Sequence, residues 1–167
     1  MKNQCLDITI RAAKLQDAQM LSRIEEVCFP GEEAAGLASF EARLKSFGNC
    51  FLIAEMDGKI IGFINGMVTD REAIVDEMFE DASLHNEKGA WQSVFGLDVL
   101  PEYRCRGVAA ELMQAFIAKA QKEGRKGCIL TCKERLIPYY SKFGYVNKGI
   151  SESQHGGAVW YDMLLEF

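Results

Sequence analysis

The sequence predicts a mixed α/β domain, with helices arranged around a mixed sheet that contains one parallel pair of strands. Three features predict it. Asp57-Gly58 separates two apolar strand patterns, 51–56 and 59–68, and this dipeptide suits the positive φ values of a two-residue hairpin turn. Val108 to Glu123 reads as an amphipathic helix, with Val108, Leu112, Met113, Phe116, Ile117 and Ala120 on one face and Gly124 just past its end. A strand pattern precedes that helix at 93–99 and another follows at 126–132, the order that places parallel strands side by side.

The other elements follow in chain order. Asp7 to Ala12 alternates as a strand, and Asp17 stands where it would cap a helix carrying Met20, Leu21, Ile24, Val27 and Cys28 at helical spacing. Phe29-Pro30-Gly31 stops that helix, and a second short one runs from Ser39 to Ser46 until Gly48-Asn49. Asp70 to Lys88 holds seven acids and too few apolar positions for a core element, so it reads as a loop with a helical turn; loops of this length usually serve a site. Leu136 to Lys142 is a short helix, and Val146 to Ile150 with Val159 to Leu165 closes the sheet. No repeat, linker or low-complexity tract divides the chain, which is expected to form a single domain over 1–167.

With 167 residues, 49% hydrophobic and 26% charged, the chain is long enough to bury one core without disulfides or structural metal. No apolar run approaches the ~18 residues of a membrane helix, and the opening MKNQCLDITIR is polar where a signal peptide would be apolar; a cytoplasmic protein without a membrane partner is expected. A net charge of -5 argues against nucleic-acid binding through a general positive field. The charge is uneven: Arg104 to Lys148 carries +7, leaving -12 for the rest, which suggests a local anion site beside the plainer reading of exposed helix faces. The six cysteines have no C-x-x-C spacing and no flanking histidine at ligand distance, so no metal site is expected and reduced core thiols are the default. Cys105, between Arg104 and Arg106, is the one thiol whose neighbours favour a thiolate.

The chemistry concentrates after the 93–99 strand. Leu97-Asp98-Val99, the turn Pro101-Glu102-Tyr103, and Arg104-Cys105-Arg106-Gly107-Val108-Ala109-Ala110 lead straight into the amphipathic helix. That order puts unpaired backbone N–H groups at a helix N-terminus, an anion site by construction, with Gly107 permitting close approach.

These residues resemble the GNAT superfamily of acyl-CoA-dependent N-acetyltransferases, whose signature [QR]-x-x-G-x-[GA] is matched within LDVLPEYRCRGVA. The likeness extends to ITIRAAKLQDAQMLSRIEE, to the FLIAEMDGKIIGFI hairpin, and to a late P-x-Y-x-x-x-G-[FY] element present as Pro138-Tyr139-Tyr140-Ser141-Lys142-Phe143-Gly144-Tyr145. The stretch from Leu84-His85 to Val99 and the segment LTCKERLIPYYSKFGY are similar to the arylalkylamine (serotonin) N-acetyltransferase branch. The resemblance implies a mostly antiparallel six- or seven-stranded sheet with a splayed parallel central pair and about four helices. It implies acetyl-CoA as co-substrate, lying in the split between the fourth and fifth strands. Its pantetheine would pair with backbone at Leu97 and Val99, its pyrophosphate would rest on the amides from Cys105 to Ala110, and Thr131, Cys132 and Lys133 would flank the thioester.

Acetyl transfer to an amine needs a proton sink, because an amine of pKa near 10.4 is neutral in only about one molecule in 10³ at pH 7, and it needs a donor near the departing thiolate. Tyr140 matches the family's general-acid tyrosine. The branch's two relay histidines correspond here to Ser93 and Phe95, neither of them a base. Ser93 could order a water; Glu25, Glu26, His85 and His155 are candidates for the base, with His155 preferred because its Gly-rich loop should border the acceptor groove, and a water chain to solvent is the alternative. The glutamates otherwise read as a solvated helix face and His85 as an exposed loop residue. The resemblance to that branch implies that Phe29 lines the acceptor pocket, with Cys28, Pro30 and Leu37 beside it, and the acidic loop would either attract a cationic amine or simply be solvated. The expected function is acetyl transfer to a small primary amine by a monomer or homodimer. The alternatives are a protein lysine or N-terminal acetyltransferase, which needs an open groove, and a non-catalytic acyl-CoA-binding module.

Overall fold

The strand expected over 93–99 is where two sheets part. In the computed structural model, which describes residues 7–29 and 31–167, it is two strands, β5 (Trp91–Val94) and β6 (Gly96–Val99), broken at Phe95. β6 joins β1 (Thr9–Ala12), β2 (Phe51–Met56) and β3 (Lys59–Asn65) in an antiparallel sheet ordered β1-β2-β3-β6. β5 joins β4 (Val68–Thr69), β7 (Gly127–Cys132), β9 (Tyr161–Glu166) and β8 (Val146–Ile150) in the order β4-β5-β7-β9-β8, and β5 and β7 are parallel. The expected class therefore holds. The strands number nine among the described residues because the 59–68 and 93–99 patterns are each interrupted.

Local chemistry explains the hairpin: Asp57 at φ 52° and Gly58 at φ 77° form the left-handed pair that matches the twist of β2 and β3. Helix α4 (Val108–Lys122) connects the two sheets and buries Val108, Leu112, Met113, Phe116 and Ala120 against β2, β3, β6 and β7. Helices α1 (Ala18–Cys28) and α2 (Leu37–Phe47) pack on each other, and α1 also on β3 and β6. α3 (Glu77–Glu80) is one turn within the acidic loop, and α5 (Ile137–Ser141) lies against β8 and β9. Phe40, Phe47, Phe51 and Phe63 form the aromatic centre of the core, with Phe40 and Phe63 edge to face at 5.6 Å. Among the described residues, no helix is long and apolar enough to cross a membrane.

Three expectations are corrected here. Met20 (42% exposed) and Val27 (58%) lie outside the packed face of α1, which instead buries Ala18, Leu21, Ser22, Ile24 and Glu25. The face is rotated toward Glu25, whose carboxylate accepts from Ala35 N in the connection between α1 and α2. Asp17 does not cap α1: its carboxylate accepts from Lys14 N at 2.7 Å and from the Arg11 guanidinium at 2.9 and 3.1 Å. Burial alone would raise this carboxyl, but those hydrogen bonds hold it below the usual range. His85 is not exposed; its side chain is buried on Phe47, its Nδ1 accepts from Val68 N at 3.0 Å, and its Nε2 meets Glu87 at 2.7 Å.

Gly66 lets the chain step from β3 to β4 across β5, since a Cβ built there would lie 1.9 Å from Ser93 O. The Gly66→Ala variant is expected to lose about 3 kcal/mol of stability in urea unfolding, whereas Gly48→Ala, at φ -55° with nothing within 4 Å, should stay within about 0.5 kcal/mol. Equal midpoints for the two variants would contradict this account of the crossover.

Candidate active site

A cleft of about 350 Å³ opens where β6 leaves β7. β5 follows β7 only as far as the Val94–Leu130 pair, after which β6 pairs with β3 alone, while β7 continues to Thr131 and Cys132. Leu100 N donates to Ile61 O, so by the two-residue period of an antiparallel ladder the backbone of Asp98 faces β3 while that of Leu97 and Val99 faces the split. Leu97 and Val99 accordingly line the cleft from one side and Leu130, Thr131 and Cys132 from the other. The Val99 carbonyl already accepts from Arg104 Nε at 3.0 Å and from Cys28 Sγ at 3.4 Å.

The loop before α4 turns through two left-handed residues, Cys105 at φ 61° and Gly107 at φ 84°. No side chain caps α4, so the first-turn N–H groups of Val108, Ala109 and Ala110 point outward with no helical acceptor. Cys105 and Arg106 are exposed, Arg104 and Ala109 line the cleft, and a Cβ at Gly107 would meet nothing within 4 Å, so glycine serves its φ there.

At the far end of β7, α5 brings Tyr139 and Tyr140 to the cleft beside Cys132. Burial raises the Tyr140 hydroxyl well above the usual tyrosine range, and the neighbouring Cys132, Tyr139 and Asp98 add to this. It therefore stays protonated and able to donate a hydrogen bond at neutral pH. Burial likewise pushes the Cys132 thiol up to about 11, so it remains a thiol.

The side of the cleft toward α1 and the acidic loop is aromatic and acidic. Phe29, Phe79, Phe95 and Trp160 contribute rings, while Glu25 and Glu33 contribute carboxylates. Its roof is tied down: His155 Nε2 bonds the Glu33 carbonyl at 2.9 Å, and His155 stacks on Phe79 with centroids 4.8 Å apart. A carbonyl only accepts, so Nε2 carries the proton of the neutral ring. Glu33 also pairs with Lys133 at 2.7 Å, and the Lys133 ammonium sits over the Trp160 ring at 5.7 Å. The His155 loop is latched to the acidic loop by Asp76, which accepts from Ser153 Oγ and from Gln154 N. Asp70 and Asp81 also bond within or beside their own loop, so part of this charge run serves to hold backbone in place.

Of the residues singled out in the sequence, Phe29, Leu97, Val99, Arg104, Ala109, Thr131, Cys132, Tyr140 and His155 converge on the cleft. Ser93 does not: it is fully buried in β5, and both its hydroxyl, at 2.7 Å, and its backbone N–H donate to Met67 O just before β4, which occupies the group expected to order a water. Leu37 is 41% exposed at the start of α2 and lies away from the pocket. Lys133 bridges the roof rather than lining the cleft, and Pro30 lies outside the described residues.

Asp98, expected with Leu97 and Val99 among the CoA-binding residues, does not face the split: its backbone pairs with β3 and its side chain is wholly buried. Sequence reasoning also underrated Glu25 and missed Arg43. All three are buried: Arg43 donates to Asn65 Oδ1 at 3.2 Å and to Phe79 O at 3.1 Å, and stacks on Phe95 at 4.9 Å. Burial and then the neighbouring Glu25 charge push the Asp98 carboxyl well above its usual range, with Arg43 opposing.

The profile of the Acetyltransferase (GNAT) family matches residues 18–145. The chain belongs to this family. It is 26% identical over 90 residues to the serotonin N-acetyltransferase of Mesocricetus auratus, a match covering 53% of this chain and 42% of that enzyme. It is 28% identical over 122 residues to the N-alpha-acetyltransferase of Saccharolobus solfataricus, covering 73% of this chain and 68% of that one. Among solved structures, the GphF GNAT-like decarboxylase in complex with isobutyryl-CoA superposes with a TM-score of 0.81 over 95% of this chain and 98% of that one; at 18% identity it shows the fold alone. The arylalkylamine branch is thus matched no better than the N-alpha branch.

A carboxyl whose pKa is raised by folding binds its proton more tightly in the native state. The corresponding stability is full below the unfolded value of about 3.9 and is lost as pH rises through the folded value. The Asp98→Asn variant is therefore expected to gain stability relative to wild type as pH rises from 4 to 8, as read by urea unfolding. A difference independent of pH would contradict the assignment.

Proposed function

We propose that this GNAT protein transfers the acetyl group of acetyl-CoA to the primary amine of a small aryl- or polyamine-like molecule, by direct attack within a ternary complex. The observation that carries the choice of acceptor is the roof bonded across one side of the cleft. The connection between α1 and α2 is bonded through Glu33 to the His155 loop and to Lys133, across the side where a peptide would have to lie in an open groove. An aromatic wall with Glu25 and Glu33 beside it suits an apolar amine arriving as a cation.

The co-substrate follows from the opposite side of the cleft. In this reading, the backbone of Leu97 and Val99 pairs with the amide-bearing arm of acetyl-CoA, which requires Arg104 to yield the Val99 carbonyl, while its pyrophosphate rests on the amides from Cys105 to Ala110. Thr131 and Cys132 flank the thioester. The GphF GNAT-like decarboxylase, which shares the fold, is in complex with isobutyryl-CoA, which supports an acyl-CoA as the ligand.

The protein's own contribution is then positioning and proton traffic. Acetyl-CoA and the amine meet between Tyr140 and the acidic corner. The amine nitrogen attacks the thioester carbon, the C–S bond breaks, and the Tyr140 hydroxyl hydrogen-bonds the departing sulfur, giving it a proton that solvent restores. The likeness to the Saccharolobus N-alpha-acetyltransferase favours a second reading, in which the acceptor is the amino terminus of a protein.

Thiol release from acetyl-CoA, measured over arylalkylamines, polyamines and peptides with free amino termini, decides between them. The expected result is a kcat/KM at least 10-fold higher for a small amine than for any peptide. Tyr140→Phe should lower kcat about 10²-fold without changing the thermal stabilisation given by CoA. Preferential peptide turnover would replace the small-amine reading, and CoA stabilisation without thiol release on any acceptor would replace both with an acyl-CoA-binding module.

A further inference from the structure

Glu25 reaches the acceptor side of the cleft from α1 and is 5% exposed, yet only half of its carboxylate is satisfied: Oε2 accepts from Ala35 N at 2.9 Å, and Oε1 finds no donor among the described residues. Behind it Asp98, wholly buried on β6, finds a donor for neither oxygen. The two carboxyls border one small space. A Cβ built on Gly96, which lines the cleft, would lie 2.9 Å from Asp98 Oδ1 and 3.4 Å from Glu25 Oε1.

A structural ion cluster would place its cation on these oxygens. Arg43 is the cation at hand, and its hydrogen bonds go instead to Asn65 Oδ1 and Phe79 O. The Asn65 amide nitrogen borders the same space without a hydrogen-bond partner, but one neutral amide and the Arg43 charge nearby do not let both carboxyls ionise at low cost; a single shared proton removes the conflict. The groups facing Glu25 leave the carboxyl pair one negative charge, which Arg43 balances: Asp98 from β6, Arg43 from α2 and the thiol of Cys28 from α1 itself, with Tyr140 lining the same cleft. Asp98, the deeper and drier of the two, keeps the proton.

We propose that Glu25 is the catalytic residue that accepts the proton of the attacking amine, with Asp98 as the positioning residue that holds the pair's one proton behind it. This rests on the acetyl-transfer reading above and identifies its base. The bound ammonium first loses one proton to solvent. As the nitrogen bonds to the thioester carbon it becomes positively charged and far more acidic than the free ammonium, so a carboxylate is base enough to take its remaining excess proton. That proton moves to Glu25 Oε1, the C–S bond breaks, and sulfur receives a proton from Tyr140. Glu25 then releases its proton to solvent while Tyr140 regains one, leaving amide, thiol and the starting enzyme. His155 is left with the roof, through its Nε2–H bond to Glu33.

The test uses the full-length enzyme and whichever acceptor, amine or peptide, the wild type turns over, so that loss of the small-amine reading leaves it intact. Glu25→Gln keeps an oxygen for Ala35 N and should lower kcat about 10²- to 10³-fold, abolish the acidic limb of the pH–rate profile, and leave CoA affinity unchanged. Retention of wild-type kcat and of that limb would overturn the proposal. Should Glu25→Gln fail to fold, infrared spectroscopy of the wild type keeps the proposal testable: a protonated-carboxyl C=O band at pH 7 that Asp98→Asn removes is expected, and its absence from the wild type would overturn the shared-proton pair.

Discussion

The divergence of β6 from β7 is the constraint on which the rest of the molecule depends. Backbone donors and acceptors on neighbouring strands ordinarily satisfy one another, and a sheet that opens in its middle leaves some of them facing empty space. Here β5 holds β7 as far as Val94, and beyond Phe95 the chain commits to β3. The backbone of Leu97 and Val99 needs a partner where no strand lies beside it, and the Val99 carbonyl has them in the side chains of Arg104 and Cys28. A ligand with its own amides, laid into the split as an extra strand, would meet that need. The N-terminus of α4 stands at the end of the same line, because the loop from Arg104 to Gly107 is the direct continuation of β6.

The second organising feature is charge kept inside. Glu25, Asp98, Arg43 and Asn65 are buried together next to the opening, where dry surroundings amplify every electrostatic preference. Such a cluster is costly for stability, as the raised Asp98 carboxyl records. Proteins keep such arrangements where the chemistry uses them. The roof is built differently, from hydrogen bonds, stacked rings and the Glu33–Lys133 ion pair among His155, Glu33, Lys133, Phe79 and Trp160, so its main contribution is shape, with its carboxylate already paired.

Much of this was legible in the sequence, for definite reasons. The hairpin, helix α4 and the anion-binding turn each depend on local chemistry: Asp57-Gly58, a helical apolar stripe, and a glycine at positive φ. Tyr140 was visible because its motif is short and contiguous. What the sequence leaves hidden depends on distant partners. Glu25 is one candidate base among four there, in a Glu-Glu pair that reads as a solvated helix face, and its burial shows only once α1 is packed and Ala35 N bonds it from the α1–α2 connection. Phe95 continues the strand pattern on both sides of it, so nothing local marks the break that creates the cleft and removes Ser93 from it. His85 is buried by contacts with Phe47 and Val68 that periodicity does not reveal.

The central claim is that the split strands and the α4 turn form one continuous backbone site for CoA. Amide hydrogen exchange with and without CoA tests it most directly. The account predicts added protection at Leu97, Val99 and the amides from Cys105 to Ala110, with no change along β2 or β8. Protection confined to other parts of the chain, or none at those amides under saturating CoA, would contradict it.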